Sequence, residues 1–155
     1  VQITSVQNNS LQSEGYVSFT TEHGSYYVGD SLIAGDPSPS TLGAELSGDS
    51  TLTLGASTDI RNHGGLSIAI KGFTGTGTYS LGAAPSIGNV QNSYDAIWET
   101  NASHLCKVHI DTIDHTNRKI TGTFSFTANS VKGAVNDSLH VTHGVFYHVL
   151  FVELN

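Results

Sequence analysis

The chain is poor in cysteine, proline and basic side chains, and it has no methionine. Of its 155 residues one is Cys, three are Pro and six are Lys or Arg. The lone Cys106 excludes an intrachain disulfide. The cations Arg61, Lys71, Lys107, Arg118, Lys119 and Lys132 are scattered and form no basic stripe, so neither nucleic acid nor an anionic membrane surface is an expected partner. Thirteen acidic residues give a formal charge of −7, dispersed along the chain, which serves solubility. No apolar run is long enough for a transmembrane segment or a signal h-region. With no Met even at position 1, the numbered chain is expected to begin after processing, with any export signal removed. Val1 is not a lipid-modifiable Cys, so either an anchor segment was trimmed or the protein is freely secreted. The expected location is extracellular or at the cell surface.

What the chain does contain is Gly, Ser, Thr and alternating apolar residues. Charged residues make up 12%, about half the usual share. In Lys119–Ala128 (KITGTFSFTA), Ile120, Gly122, Phe124, Phe126 and Ala128 share one face, and Thr121, Thr123, Ser125 and Thr127 share the other. A period of two is the mark of a half-buried strand. Similar runs occupy Val1–Val6, Tyr16–Thr21, Tyr26–Ala34, Leu42–Leu46, Thr51–Ala56, Leu66–Ile70 and Tyr94–Thr100. His104–Ile113 and Lys119–Ala128 flank a short turn and read as a hairpin. Ala83–Asn92 reads as a long loop. From Val145 to Leu154 apolar residues occupy both faces, so this strand is either central in a two-layer core or covered by another chain. The expectation is one all-β domain over residues 1–155, an antiparallel β-sandwich or flattened β-barrel of about nine or ten strands. Residues 1–14 would be an extended arm or edge strand.

KITGTFSFTA and Val141–Phe146 (VTHGVF), preceded by Gly75–Gly82 (GTGTYSLG) and the Trp98–Thr100 strand, together resemble an uncharacterised exported family. Its members are β-rich proteins common in Bacteroidota, many of them lipoproteins. The resemblance runs from about Leu42 to Phe151 and implies a β fold at the cell surface, with no catalytic residues to carry over. His143 stands where the family commonly has Asn. In the same setting, Asp-Ser/Thr-apolar tripeptides resemble periplasmic O-glycosylation acceptors and point to Ser31, Ser50, Thr112 and Ser138.

Eight histidines raise the question of a metal. His104 and Cys106 share a strand face at i and i+2, and His140 or His148 could join them from a neighbouring strand, a set suited to Zn or Cu. Against it, Cys106 is in phase with Val108 and Ile110, which places the thiol in the core. The balance is no metal and no cofactor. Catalysis has less support: no nucleophile-elbow pattern occurs, and Asp111 and Asp114 near a turn read as solvated acids. Asp30, Asp36, Asp49 and Asp59 lack calcium-loop spacing.

The expected function is therefore non-enzymatic. The first reading is an assembly or binding domain at the surface, a homo-oligomer or polymer and in one form a fibre subunit using strand exchange, with Val145, Tyr147, Val149 and Phe151 as assembly residues. The alternative is a monomeric module for a carbohydrate or other small ligand, using some of Tyr16, Tyr26, Tyr27, Tyr79, Tyr94, Tyr147 and Trp98. Alternation puts most of these rings in core phase.

Overall fold

A computed structural model describes residues 15–22, 24–29, 41–57, 65–82, 87–93, 96–101, 103, 105–132 and 138–154. The expected N-terminal arm, including Val1–Val6, lies outside them. Eleven strands and no helix occur among the described residues: β1 (Tyr16–Thr21), β2 (Gly24–Gly29), β3 (Thr41–Leu46), β4 (Thr51–Ser57), β5 (Gly65–Lys71), β6 (Gly77–Leu81), β7 (Ile87–Ser93), β8 (Ala96–Glu99), β9 (Cys106–Asp114), β10 (Lys119–Lys132) and β11 (Ser138–Glu153). The all-β class is as expected. The segment read as a loop over Ala83–Asn92 instead contributes β7. Its composition, rich in Asn and Gly, hides a strand that is paired on both sides, to β5 and to β8. Val90 points into the core, and Gly88 is exchanged with Thr100 through two hydrogen bonds, one from each backbone N–H.

Two layers result. One has the order β2–β1–β11–β10–β9–β6, the other β3–β4–β5–β7–β8. The long strands β10 and β11 join them. The end of β11 leaves β1 and pairs with β3 through Phe151–Glu153, and the end of β10 leaves β9 and pairs with β8 through Asn129–Lys132. Hydrogen bonding thus closes a circuit through β11, β3, β4, β5, β7, β8 and β10. The sandwich is a flattened barrel with two added wings, β1–β2 and β9–β6. All pairings are antiparallel except β11–β3, which is parallel.

The core lies between the layers. Ala44, Leu52, Leu54, Ile68 and Ile70 of one meet Val108, Ile110, Ile120 and Phe146 of the other, leaving a void of only about 10 Å³. That is at the lower limit for one water molecule, and its walls are apolar. No ligand fits there.

The hairpin of β10 and β11 is locked by two reciprocal glycine–phenylalanine pairs. Gly122 faces Phe146 and Phe124 faces Gly144 across the ladder. A Cβ on Gly122 would collide with the His109 carbonyl oxygen and come within 2.5 Å of the Phe146 ring; one on Gly144 would come within 2.5 Å of the Phe124 ring. Each ring covers the glycine opposite, and the two rings stack at 6.2 Å.

Two β-bulges interrupt β11. Between the pairs Ile120–Val149 and Gly122–Phe146, both Tyr147 and His148 oppose Thr121; between Phe124–Gly144 and Phe126–Val141, both Thr142 and His143 oppose Ser125. The extra residue is a histidine in the left-handed region each time, φ 48° at His148 and 53° at His143. Such bulges coil a sheet and reset which side chains face the core.

Candidate functional site

The reset changes the reading of β11. Period-two alternation puts Val145, Tyr147, Val149 and Phe151 on one face. Instead Val145 and Tyr147 point outward, while Val149, 0% exposed, and Phe151 are in the core beside Phe146. Beyond the bulge the outward apolar residues are Leu150, Val152 and Leu154, with Leu150 50% and Val152 53% exposed. The proposed assembly face is therefore split between the two sides of the strand.

The metal candidates are not brought together. Cys106 is fully buried at the start of β9, and desolvation pushes its thiol up to about 12, which suits neither a ligand nor a nucleophile. His148 lies level with Thr121 and hence with Thr112, six residues and about 20 Å along the sheet from Cys106. His104 lies outside the described residues. Among those described, no group of three or more His, Cys, Asp or Glu side chains converges. Asp49 and Asp114 organise turns. Asp49 accepts from the Ser47 hydroxyl at 2.5 Å and from the Thr51 N–H; Asp114 accepts from the N–H groups of Asn117 and Thr116 and from the Asn117 side chain. Those hydrogen bonds hold both carboxyls below the usual carboxylate range. Of the modification candidates, Ser50, Thr112 and Ser138 are exposed, and Ser31 lies outside the described residues.

The aromatic residues divide. Trp98 is buried, and Tyr26 and Tyr79 pack against the core. Tyr16, Tyr27 and Tyr147 stand on the outer face of β1, β2 and β11, contrary to the core phase expected for most rings. Tyr16 lies 5.4 Å from both Tyr27 and Tyr147, and Tyr147 stacks on His148 at 3.8 Å. Tyr27, 62% exposed, lies over Gly29, which leaves room for its ring. Beneath this row the His148 N–H donates to Thr121 Oγ1 at 3.0 Å, and His148 Nδ1 is buried without a partner among the described residues.

Next to the row is a trough of about 570 Å³ on the outer face of the six-stranded layer. Its floor is the polar face of β10, Thr123 and Ser125. One wall is Lys107 and His109 of β9, with Thr78 of β6 behind; the other is His143 and Val145 of β11. Short side chains on the middle strand and longer ones on its neighbours make the hollow. Register sets it: Thr78, His109, Thr123 and Val145 form one transverse row, and Ser80, Lys107 and Ser125 the next. His109 is braced by Thr78 Oγ1 at 2.7 Å from Nδ1 and by Asp111 Oδ1 at 3.3 Å from Nε2. His143 Nδ1 lies 3.3 Å from Thr142 Oγ1. A second trough, of about 520 Å³ on the outer face of the other layer, has a floor of Gly43, Gly55 and Ser67 and carries Glu45 at its side. Sequence reasoning treated the polar face of β10 as plain solvent-facing pleat; only the register with β9 and β11 shows it as a floor.

The profile of a family described as a domain of unknown function, DUF6252, matches residues 39–150. The chain belongs to the DUF6252 family. The match runs from just before β3 to Leu150 in β11 and includes every residue lining the outer trough of the six-stranded layer. β1 and β2, with Tyr16 and Tyr27, precede it. No curated protein and no solved structure matches the chain.

Proposed function

We propose that this DUF6252 chain is a non-catalytic, exported binding domain that holds a carbohydrate along the outer trough of its six-stranded layer. The observation that carries this is the trough itself, a rigid floor of hydroxyls between two side-chain walls. Hydroxyl and imidazole groups both donate and accept, which suits the hydroxyls of a sugar. The aromatic row adds apolar, hydrogen-bond-capable surface next to it. The interior, closed and apolar, leaves the outer faces for recognition. The buried thiol of Cys106 withholds the chain's one cysteine from covalent chemistry. Export to the surface of a Bacteroidota-type cell, as a lipoprotein or a secreted form, fits the family resemblance and the exposed Ser50, Thr112 and Ser138.

A second reading, self-assembly, is favoured by a different observation. β2 and β6 end the strand order among the described residues, and neither carries a charged side chain to discourage strand addition. The exposed Leu150 and Val152 add apolar surface on β11.

One experiment addresses both. Purified protein is sized by light scattering and then screened against immobilised oligosaccharides, with amide chemical shifts recorded on any that bind. The expected result is a monomer whose Thr123, Ser125 and Val145 amides shift on binding. Shifts confined to another face would overturn the site. Concentration-dependent polymers without glycan binding would establish the assembly reading in its place.

A further inference from the structure

The charges around the trough differ in sign from the chain as a whole. Acids outnumber Lys and Arg by 13 to 6 over the whole sequence. Yet the trough is lined by one lysine and two histidines and by no carboxylate. Lys107 is exposed, and its ammonium has no hydrogen bond or ion pair among the described residues; its cross-strand neighbours are Ser80 and Ser125. Asp111 is outside the lining and is engaged by His109 Nε2. On the far wall His143 lines the trough, with its Nδ1 3.3 Å from Thr142 Oγ1. From β1, Ser18 and Thr20 add no charge next to β11.

The spacing suits one acid group on a sugar ring. Lys107 and His109 are two positions apart on β9, about 6.7 Å, and β9 and β11 are separated by β10, about 9.6 Å across. A ring lying on Thr123 and Ser125 can therefore meet donors from both walls at once. The floor is polar, which disfavours an apolar peptide, and one lysine is too few to hold a nucleic acid backbone.

We infer that the trough takes an acidic oligosaccharide, one whose carboxylate or sulfate group is held between Lys107 on β9 and His143 on β11. This rests on the carbohydrate-binding reading above and names the chemistry of its ligand. Lys107 supplies the charge-assisted bond, the His143 ring supplies direction, His109 is fixed in the wall by Thr78 and Asp111, and the Thr and Ser hydroxyls of the floor meet the ring hydroxyls.

The test is calorimetric titration of the intact chain with four probes: a hexagalacturonate, a sulfated hexasaccharide, neutral cellohexaose and inorganic sulfate. At low salt, at least one acidic probe should bind about tenfold more tightly than cellohexaose, and added salt should weaken it. Comparing the uronate and the sulfated probe tells which acid group the site takes. Lys107→Gln should reduce that affinity about tenfold, Lys107→Arg should retain most of it, and Ser125→Tyr, which fills the floor, should abolish it. Both positions are exposed, and an unchanged melting temperature confirms the fold. Equal binding of cellohexaose, or an unaffected Lys107→Gln, overturns the acidic-ligand inference and leaves carbohydrate binding standing. Sulfate alone binding as tightly as the oligosaccharides overturns the sugar component. If none of the probes binds, the inference fails, and the wider glycan screen decides the parent reading separately.

Discussion

Gly122 and Gly144 show how much of this fold depends on atoms that are missing. In a strand a glycine ordinarily weakens packing and costs entropy. Here each makes space for the phenylalanine opposite, and the pair of exchanges fixes the register of β10 against β11. Gly122→Ala should therefore destabilise the protein by about 3 kcal/mol, read from denaturant unfolding, because the new methyl meets the His109 backbone and not a movable side-chain tip. Gly55, with open space around it, is the control: Gly55→Ala should change stability by less than about 0.5 kcal/mol. Equal losses at both sites would refute the lock. His143 and His148 are the opposite case, non-glycine residues at left-handed φ. That conformation is uncommon for a side-chain-bearing residue, though His and Asn adopt it more readily than most.

At the scale of the element, β11 carries the main lesson. Its alternation is real on either side of each bulge but is broken at Tyr147–His148, so a single period drawn through 145, 147, 149 and 151 crosses from outside to inside. The phase can be measured by mutation. Val149→Ser buries a hydroxyl in the core and should cost about 2–4 kcal/mol. Val152→Ser, on the outer side, should stay within about 0.5 kcal/mol and improve solubility. A reversed order in thermal or chemical unfolding would show that the strand keeps one unbroken period. β9 has a smaller version of the same device: Asp111 is extra between the pairs Thr121–Thr112 and Gly122–Ile110, so Ile110 and Ile113 both turn inward.

At the scale of the whole molecule, backbone ladders hold the two wings to a closed ring, and one side-chain link that adds to them is sensitive to acid. Glu22, just past β1, accepts from the His140 N–H at 2.8 Å and meets His140 Nδ1 at 2.6 Å, tying the β1–β2 turn to β11. Partial desolvation opposes ionisation of Glu22, but the hydrogen bonds from the His140 ring and backbone outweigh it and hold the carboxyl below its ordinary value of 4.5. A depressed folded-state value means stability that is present above pH 4.5 and is lost as the pH falls through the lower folded value. The wild-type chain should thus exceed Glu22→Gln in stability at neutral pH, by a small margin because both partners are largely exposed. The gap should close in melts below pH 4.5; a gap that widens in acid would contradict the clamp. Much of this architecture was legible in the sequence: the all-β class, most strands and the inward faces of β4, β5, β9 and β10 follow from alternation, because burial on one side of a pleat imposes a period of two. The family span was legible too, to within a few residues at each end. β7 was not, since Asn and Gly are strand residues only when neighbours pair with them on both sides. The trough was not either, because Lys107 and His109, Thr123 and Ser125, and His143 lie on three strands, and strand order and register decide which side chains share a hollow. By itself, then, the sequence determined what kind of layers could form and which faces they would bury. Only the tertiary structure decided how those layers close, where β11 changes phase and which polar residues converge, because bulges and register arise between strands and leave no periodic mark within one.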